Sequence, residues 1–436
     1  MSSAPVGRPS YAAVLRLPYA RRTFAAALLG RLSYGIVPLS VMLAVTRACG
    51  SYTVAGTAMA LFGGTSVFLS PARAALIDRH GPRRALVPMT AAYVGLLALL
   101  TALIWRPGTA SPLLVGALTA TAGACTPPLG PTMRAVWGRL APDRALLQRA
   151  YSLDGVAEEL LFVSGPLLVG LLLGVAPPTA GIITGTALMA AGAGAFVRSP
   201  AVRVIRPAER MADKPATAHD DASRPATAHD GASPGALRGI VRPVVASAGV
   251  GLALGVVDLV VVAFAEQGHH GDDAVAWTLA ALSAGSAVGG LLNGAVAWRV
   301  PARARLALTL VGLGLALGGA GLAPGLGVLA VALACAGFFV APALTTAYLI
   351  ADETAAPEAR VRAGAWVNTG VNAGGTAGAA AAGLMVGAIP PVLCFAAAGT
   401  AALLTAAAVG RGGRAGLRRE TDHADALAAE KASPAV

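Results

Sequence analysis

Apolar residues in this chain come in long, nearly unbroken runs, rather than in the alternation of a half-buried strand or the single stripe of a surface helix. About 20 apolar residues carry a helix across the hydrocarbon core of a bilayer. With that ruler the runs predict twelve spans, near 23–46, 52–77, 85–105, 111–138, 150–175, 178–197, 241–265, 274–298, 306–323, 325–350, 363–388 and 391–410. The polar breaks between them are short, except for 198–240. The expected architecture is an all-α membrane protein: a polar tail over 1–22, a six-helix bundle over 23–197, a linker over 198–240, a second six-helix bundle over 241–410 and a tail over 411–436. Residues 1–22 lack the apolar core and small-residue cleavage site of a signal peptide, so no processing is expected.

Composition supports a lipid environment, since 56% of residues are hydrophobic and only 12% charged. With 54 Gly and few aromatics, the helices are expected to pack small residue on small residue. The net charge of +12 does not mark a nucleic-acid partner, because 28 of the 33 Lys and Arg fall in the tails, the linker and alternate turns between spans. Arg79, Arg83 and Arg84, or Arg299, Arg303 and Arg305, are such clusters. Cytoplasmic loops collect these residues, so an even number of spans with both termini in the cytoplasm of a bacterial plasma membrane is expected. The four cysteines stand singly and supply neither a disulfide framework nor a metal motif.

The linker carries KPATAHDDAS followed directly by RPATAHDGAS, a duplication too polar and Pro-rich to form a core. His219 and His229 are solvated residues in this reading, not metal ligands. The loop Glu266 to Asp273 places His269 and His270 beside acids without an i, i+4 ligand arrangement, so no metal site is assigned. The halves repeat one another. With Arg149 set against Arg362, Gly165 meets Gly378, Gly170 meets Gly383, and Glu159 meets Asn372. Repeated six-helix halves around a central site are a transporter design.

The turn between the second and third spans reads Asp78-Arg79-His80-Gly81-Pro82-Arg83-Arg84. It resembles the signature G-x-x-x-D-R-x-G-R-R of the major facilitator superfamily, with Ala74 in place of the leading Gly. The resemblance covers 15–412 and implies twelve helices in two bundles related by a pseudo-two-fold axis. It also implies that Asp78 faces the amino-terminal end of the eleventh helix, where the helix dipole favours an anion. Arg79 and Arg83 would join it in a charge cluster that holds one conformational state, with Arg84 beside them. In the second half Trp298 stands where Asp78 stands in the first. Ser164-Gly165-Pro166 with Gly170 in the fifth span resembles the Gly-Pro motif of the family's antiporters, although two of that motif's glycines are missing. Small-residue packing alone would also account for it. TPPLGPTMRAVW and LDGVAEELLFVSGP resemble a bacterial drug-efflux-like subgroup.

Ionisable residues at bilayer depth are functional candidates by default. Arg31 and Glu159 each lie roughly 15 Å beyond a basic turn at 1.5 Å per residue, so an Arg31–Glu159 pair near the midplane is expected, with Glu159 as the proton- or substrate-coupling acid. Asp154 and Glu158, one turn apart, are expected to pair with Arg134. Asp258 is a second protonation candidate. Tyr34, Asn293, Asn368 and Asn372 are candidate cavity hydrogen-bonders or helix-packing polar residues.

No Walker A loop and no catalytic triad or two-His constellation appears, so no enzyme activity and no cofactor are expected. The partners expected are a small-molecule substrate, protons and the lipid bilayer, with the chain acting as a monomer. The reading is proton-coupled export of a drug-like or secondary-metabolite molecule. Proton-coupled or facilitative uptake stands beside it, as does a sensor or scaffold of the same fold.

Overall fold

The computed structural model describes residues 10–106, 108, 110–203, 234–267, 272–386 and 388–410. The linker duplication, His219, His229, His269, His270 and the tail from Arg411 lie outside the described residues. Among the described residues the chain is helical, with one isolated bridge between Val386 and Ile389. The helices are α1 Tyr11–Arg16, α2 Ala20–Cys49, α3 Tyr52–Phe68, α4 Ser70–His80, α5 Pro82–Leu103, α6 Pro112–Ala124, α7 Leu129–Leu140, α8 Arg144–Leu173, α9 Pro178–Arg198 and α10 Pro200–Arg203. After the linker come α11 Pro234–Gln267, α12 Asp272–Ala295, α13 Ala302–Ala320, α14 Leu326–Thr354, α15 Arg360–Met385 and α16 Pro391–Gly410.

Ten of these stretches are long and apolar enough to span a membrane, and the pair α3 and α4, bent by 42° at Leu69, makes an eleventh. The remaining expected span, the eleventh, is α15, a helix of 26 residues. It is less apolar because Gly and Ala dominate it and Asn368, Thr369, Asn372 and Thr376 interrupt it. The second and fourth expected spans are each split. Pro71 at the start of α4 and Pro127-Pro128 ahead of α7 remove the amide donors that a continuous helix would need. Apolar side chains such as Leu171 and Leu404 stay 73% and 66% exposed, which on a spanning helix means contact with lipid.

By contacts the chain divides into two units. One comprises Met1–Val241 with Leu291–Val296 and Ala351–Thr369. At its centre runs α2, which approaches its neighbours through residues without side chains: Gly30 lies on Gly192 of α9, and Gly35 on Gly165 of α8. A methyl added to Gly165 would come 2.6 Å from the Gly35 Cα, so this approach needs glycine. Phe24 meets Trp137 edge-on, with ring centroids 5.5 Å apart, near the Arg-rich end of the unit.

The other unit comprises Arg242–Gly290, Ala297–Ile350 and Gly370–Val436. Its α11 and α15 also approach through glycines. Gly251 and Gly255 lie against Val371 and Gly375, and Gly374 and Gly378 against Ala248 and Leu252. Arg305 is buried, donates to Thr346 Oγ1 at 3.0 Å, and stacks 5.3 Å over the Trp298 ring. Trp298, where the first half has Asp78, thus carries a cation on its face.

Candidate functional site

Inside the first unit, four charges meet in a setting that hides them from solvent. Arg31 follows Gly30 on α2, at the close approach to α9, and it is 1% exposed. Asp154 and Glu158 are one helical turn apart on α8, so their carboxylates share a face. Arg134 is delivered by α7, which starts only after the break at Pro127-Pro128. Arg31 Nη1 lies 2.7 Å from Asp154 Oδ1, and its Nη2 lies 3.2 Å from Glu158 Oε1. Arg134 Nε lies 2.9 Å from Asp154 Oδ2, and its Nη2 pairs with Glu158 Oε2. Each acid therefore bridges both arginines, and two positive and two negative charges cancel.

Such a set is tolerated at bilayer depth because each charge has a partner; an unpaired one would cost several kcal/mol. The acids differ in access. Asp154 is fully buried, whereas the Glu158 side chain is 31% exposed. Glu158 borders a cavity of 20 Å³ with Arg31, Tyr34, Gly35, Leu161 and Phe162, about enough for one water molecule.

This geometry corrects one expectation. The structure joins Arg31 to Asp154 and Glu158, where the sequence reading places Glu159. Residue 159 is turned about 100° round the helix from residue 158, and the face that carries Asp154 is the one directed at the two arginines. Depth along the membrane does not distinguish neighbours on one helix turn. The pairing of Arg134 with Asp154 and Glu158 is present.

Two further groups hold the split spans in place. Arg73, 6% exposed, donates through Nη1 to the carbonyls of Gly123 at 2.6 Å and Ala124 at 2.9 Å, and through Nη2 to Ser66. It thus supplies side-chain donors to backbone carbonyls where α6 stops and ahead of the bend in α3. The Tyr34 hydroxyl donates to the Pro127 carbonyl and accepts from the Leu129 amide at 3.2 Å. Tyr34 therefore fills the break in the fourth span as well as lining the small cavity. The sequence reading assigns Arg73 no role, although an arginine inside an apolar run just after the Ser70-Pro71 break is a usable signal.

At the Arg-rich end, Gly81 adopts φ +86°, a conformation that favours glycine, and closes α4 so that Asp78 points along the turn. Asp78 Oδ1 accepts from the Val361 amide at 3.2 Å and Oδ2 from the Arg362 amide at 2.9 Å. These are among the first amides of α15, which have no partner within their own helix. Arg79, Arg83 and Arg84 are exposed on the same turn. Around it, Arg144 pairs with Glu353 at 2.8 Å, Arg360 with Asp352 at 3.6 Å, and Arg139 donates to the Pro357 carbonyl at 3.4 Å.

The end of α12 is held similarly. Gln148 donates to the Asn293 carbonyl, Arg149 to the Ala295 carbonyl at 3.3 Å, and the Tyr11 hydroxyl to the Leu291 carbonyl. Burial, the leading cause, raises the pKa of the Tyr11 phenol, with the nearby Arg149 acting against it. Asn293 is 3% exposed and donates to Ser152 Oγ at 3.5 Å, a helix-packing position rather than a cavity wall. The sequence does not single out Asp352, Glu353, Arg360 or Gln148, because each sits at a span end where polar residues are ordinary.

Of the Gly-Pro motif, Gly165 serves the contact with Gly35, Pro166 stays within a continuous α8, and Gly170 faces open space. Asp258 is exposed on α11, Asn368 is half-buried and Asn372 is exposed. Among the described residues no group of three His, Cys, Asp or Glu side chains is placed to hold a metal ion.

Long apolar helices, helix breaks whose backbone is satisfied by buried polar groups, and a charge cluster at bilayer depth define a multi-pass membrane protein with a transporter fold. Residues 243–432 match the family model of the Major Facilitator Superfamily. Beyond that stretch, the chain shares its fold with the solved structures that follow. Its fold is similar to that of the human organic anion transporter MFSD10 (TETRAN), with 17% identity, 92% of this chain and 100% of that chain covered and a TM-score of 0.69. A bacterial homologue of the iron transporter ferroportin, in an outward-facing state with soaked iron, aligns with 14% identity over 89% of this chain and 96% of its own, at a TM-score of 0.62. The E. coli fucose:proton symporter FucP aligns with 16% identity over 88% of this chain and 98% of its own, at 0.55. No curated protein sequence matches the chain.

Proposed function

We propose that the chain is a secondary active transporter that exports a small organic molecule in exchange for protons, with Glu158 as the acid that carries the proton. The observation that supports this reading is the asymmetry of the two acids in the cluster: Asp154 is sealed, while Glu158 borders a cavity of water-molecule size. A carboxylate at 158 holds α2 and α7 to α8 through Arg31 and Arg134. A protonated Glu158 leaves two cations facing one carboxylate, which changes the relative free energy of arrangements that keep or release the contact. Asp154, in contact with both arginines, keeps them from becoming an uncompensated pair. Transport then proceeds by alternating access, with Asp78 on the first amides of α15 as a latch for one state.

In this reading the Arg-rich turns, and both termini with them, lie in the cytoplasm of a bacterial membrane. The likeness to an organic anion transporter and to a fucose:proton symporter supports a small organic solute and proton coupling. The latter likeness favours uptake by symport as the second reading.

Inverted membrane vesicles test both. With an imposed acidic interior, export predicts accumulation of one or more members of a panel of amphipathic organic ions. Glu158→Gln removes the pH dependence of that flux and leaves protein level unchanged, while Glu159→Gln keeps it. A proton-dependent flux that survives Glu158→Gln excludes Glu158 as the coupling acid. Flux only in the opposite direction selects symport, and binding without flux selects a sensor.

A further inference from the structure

A second cavity of the first unit lies away from the charge cluster and shares no lining residue with it. A cleft of 710 Å³ runs between α5 and α9, lined by Val94, Ala98, Thr101, Trp105 and Arg106 on one side and Ile183 to Ala190 on the other. Small residues at 98, 102, 187 and 190 form its floor, while Trp105 and Ile183, 60% and 51% exposed, stand up as walls. Both wall hydroxyls are turned back into their own helices: Thr101 Oγ1 donates to Leu97 O at 2.7 Å and Thr186 Oγ1 to Ile182 O at 2.6 Å. The trough therefore presents methyl and methylene groups along its length and a cation at one end only.

Its length matches a membrane dimension. From Val94 to Arg106 the distance is roughly 18 Å at 1.5 Å per helical residue, close to the ~15 Å depth of one hydrocarbon leaflet. Trp105 and Arg106 follow the end of α5, where an aromatic ring and a basic group sit at headgroup level. The occupant this shape selects has an apolar chain one leaflet long with an anion at its outer end. A polar solute would find no hydrogen-bonding group along the floor, and an uncharged lipid would gain nothing from the charge of Arg106.

We infer that this cleft binds one acyl chain of an anionic phospholipid from the leaflet on the Arg106 side, with the phosphate at Arg106. The lipid wedges between the third and sixth spans, on the flank of the unit that the charge cluster does not use, so the site stands whether or not Glu158 carries the proton.

The test uses the full chain in phosphatidylcholine nanodiscs doped with a phosphatidylglycerol probe bearing a diazirine on its acyl chain. After irradiation, mass spectrometry should find label concentrated on peptides covering 94–106 and 183–190. Ala187→Phe, which fills the trough, should lower that label at least about fivefold, since binding scales with buried apolar area. Arg106→Gln, at an exposed position, should leave chain labelling in place but erase the preference for phosphatidylglycerol over a phosphatidylcholine probe. Label spread evenly over lipid-facing residues such as Leu171 and Leu404 in the unmutated protein would overturn the proposal without any variant. Displacement by a free fatty acid as effective as by phosphatidylglycerol, or crosslinking of two copies through the cleft, would replace the phospholipid with another occupant.

Discussion

The pair α2 and α8 in the first half and the pair α11 and α15 in the second are built alike and charged differently. Gly165 lets α8 touch Gly35 of α2, and its repeat partner Gly378 lets α15 touch Leu252 of α11. The close helix contact is thus present in both halves. The charges are not: in the same alignment Asp154 corresponds to Val367, Glu158 to Val371 and Glu159 to Asn372. The apolar run of the tenth span, within α14, has no Lys or Arg, although the fourth supplies Arg134. Small-residue packing therefore serves the bundle wherever helices cross, whereas the clustered membrane-depth charges are confined to one half.

Substitutions separate these two contributions. The largest effect is expected where one buried ion of the cluster is left alone: Arg31→Ala or Asp154→Ala should destabilise the protein by about 3–5 kcal/mol, seen as a fall in thermal unfolding midpoint or in membrane yield. Val367→Ala at the matching second-half position should cost far less, and equal losses would remove the asymmetry. Overpacking comes next. Gly165→Val and Gly378→Val should each cost about 1–3 kcal/mol, read in the same unfolding assay, whereas Gly170→Ala, with open space around it, should stay within about 0.5 kcal/mol. A large loss from Gly170→Ala would assign the Gly-Pro motif a role beyond packing.

Smaller still is Arg144→Ala. Its pair with Glu353 is 59% and 39% exposed, so about 0–1 kcal/mol is expected, diminishing with added salt. Asp78→Asn keeps the shape but removes the negative charge from the first amides of α15. It should alter transport rate or the balance of conformations, measured by the accessibility of Arg83→Cys to a membrane-impermeant reagent, with stability changed by about 1 kcal/mol or less.

Much of the architecture is legible in the chain because crossing lipid is a one-dimensional problem. Run length counts the spans, and even the split ones announce themselves through Pro71 and Pro127-Pro128. The Asp78 turn is legible too, since its spacing and its place after the second span are local. Arg73 and Tyr34 are harder: their partners are backbone carbonyls at helix breaks, which carry no side-chain signature. Placing Glu159 rather than Glu158 beside Arg31 fails for a similar reason, as two adjacent acids share a depth and differ only in direction.

By itself the sequence determined how often the chain enters lipid, which turns stay polar and which half holds the clustered membrane-depth charges, because desolvation acts on each residue according to its own chemistry. Tertiary structure alone decided which acid faces which arginine, what closes the broken spans and where a cleft one leaflet long is left open. Those outcomes depend on the rotation of one helix against another, and glycine contacts such as Gly35 on Gly165 set that rotation only once both helices are present.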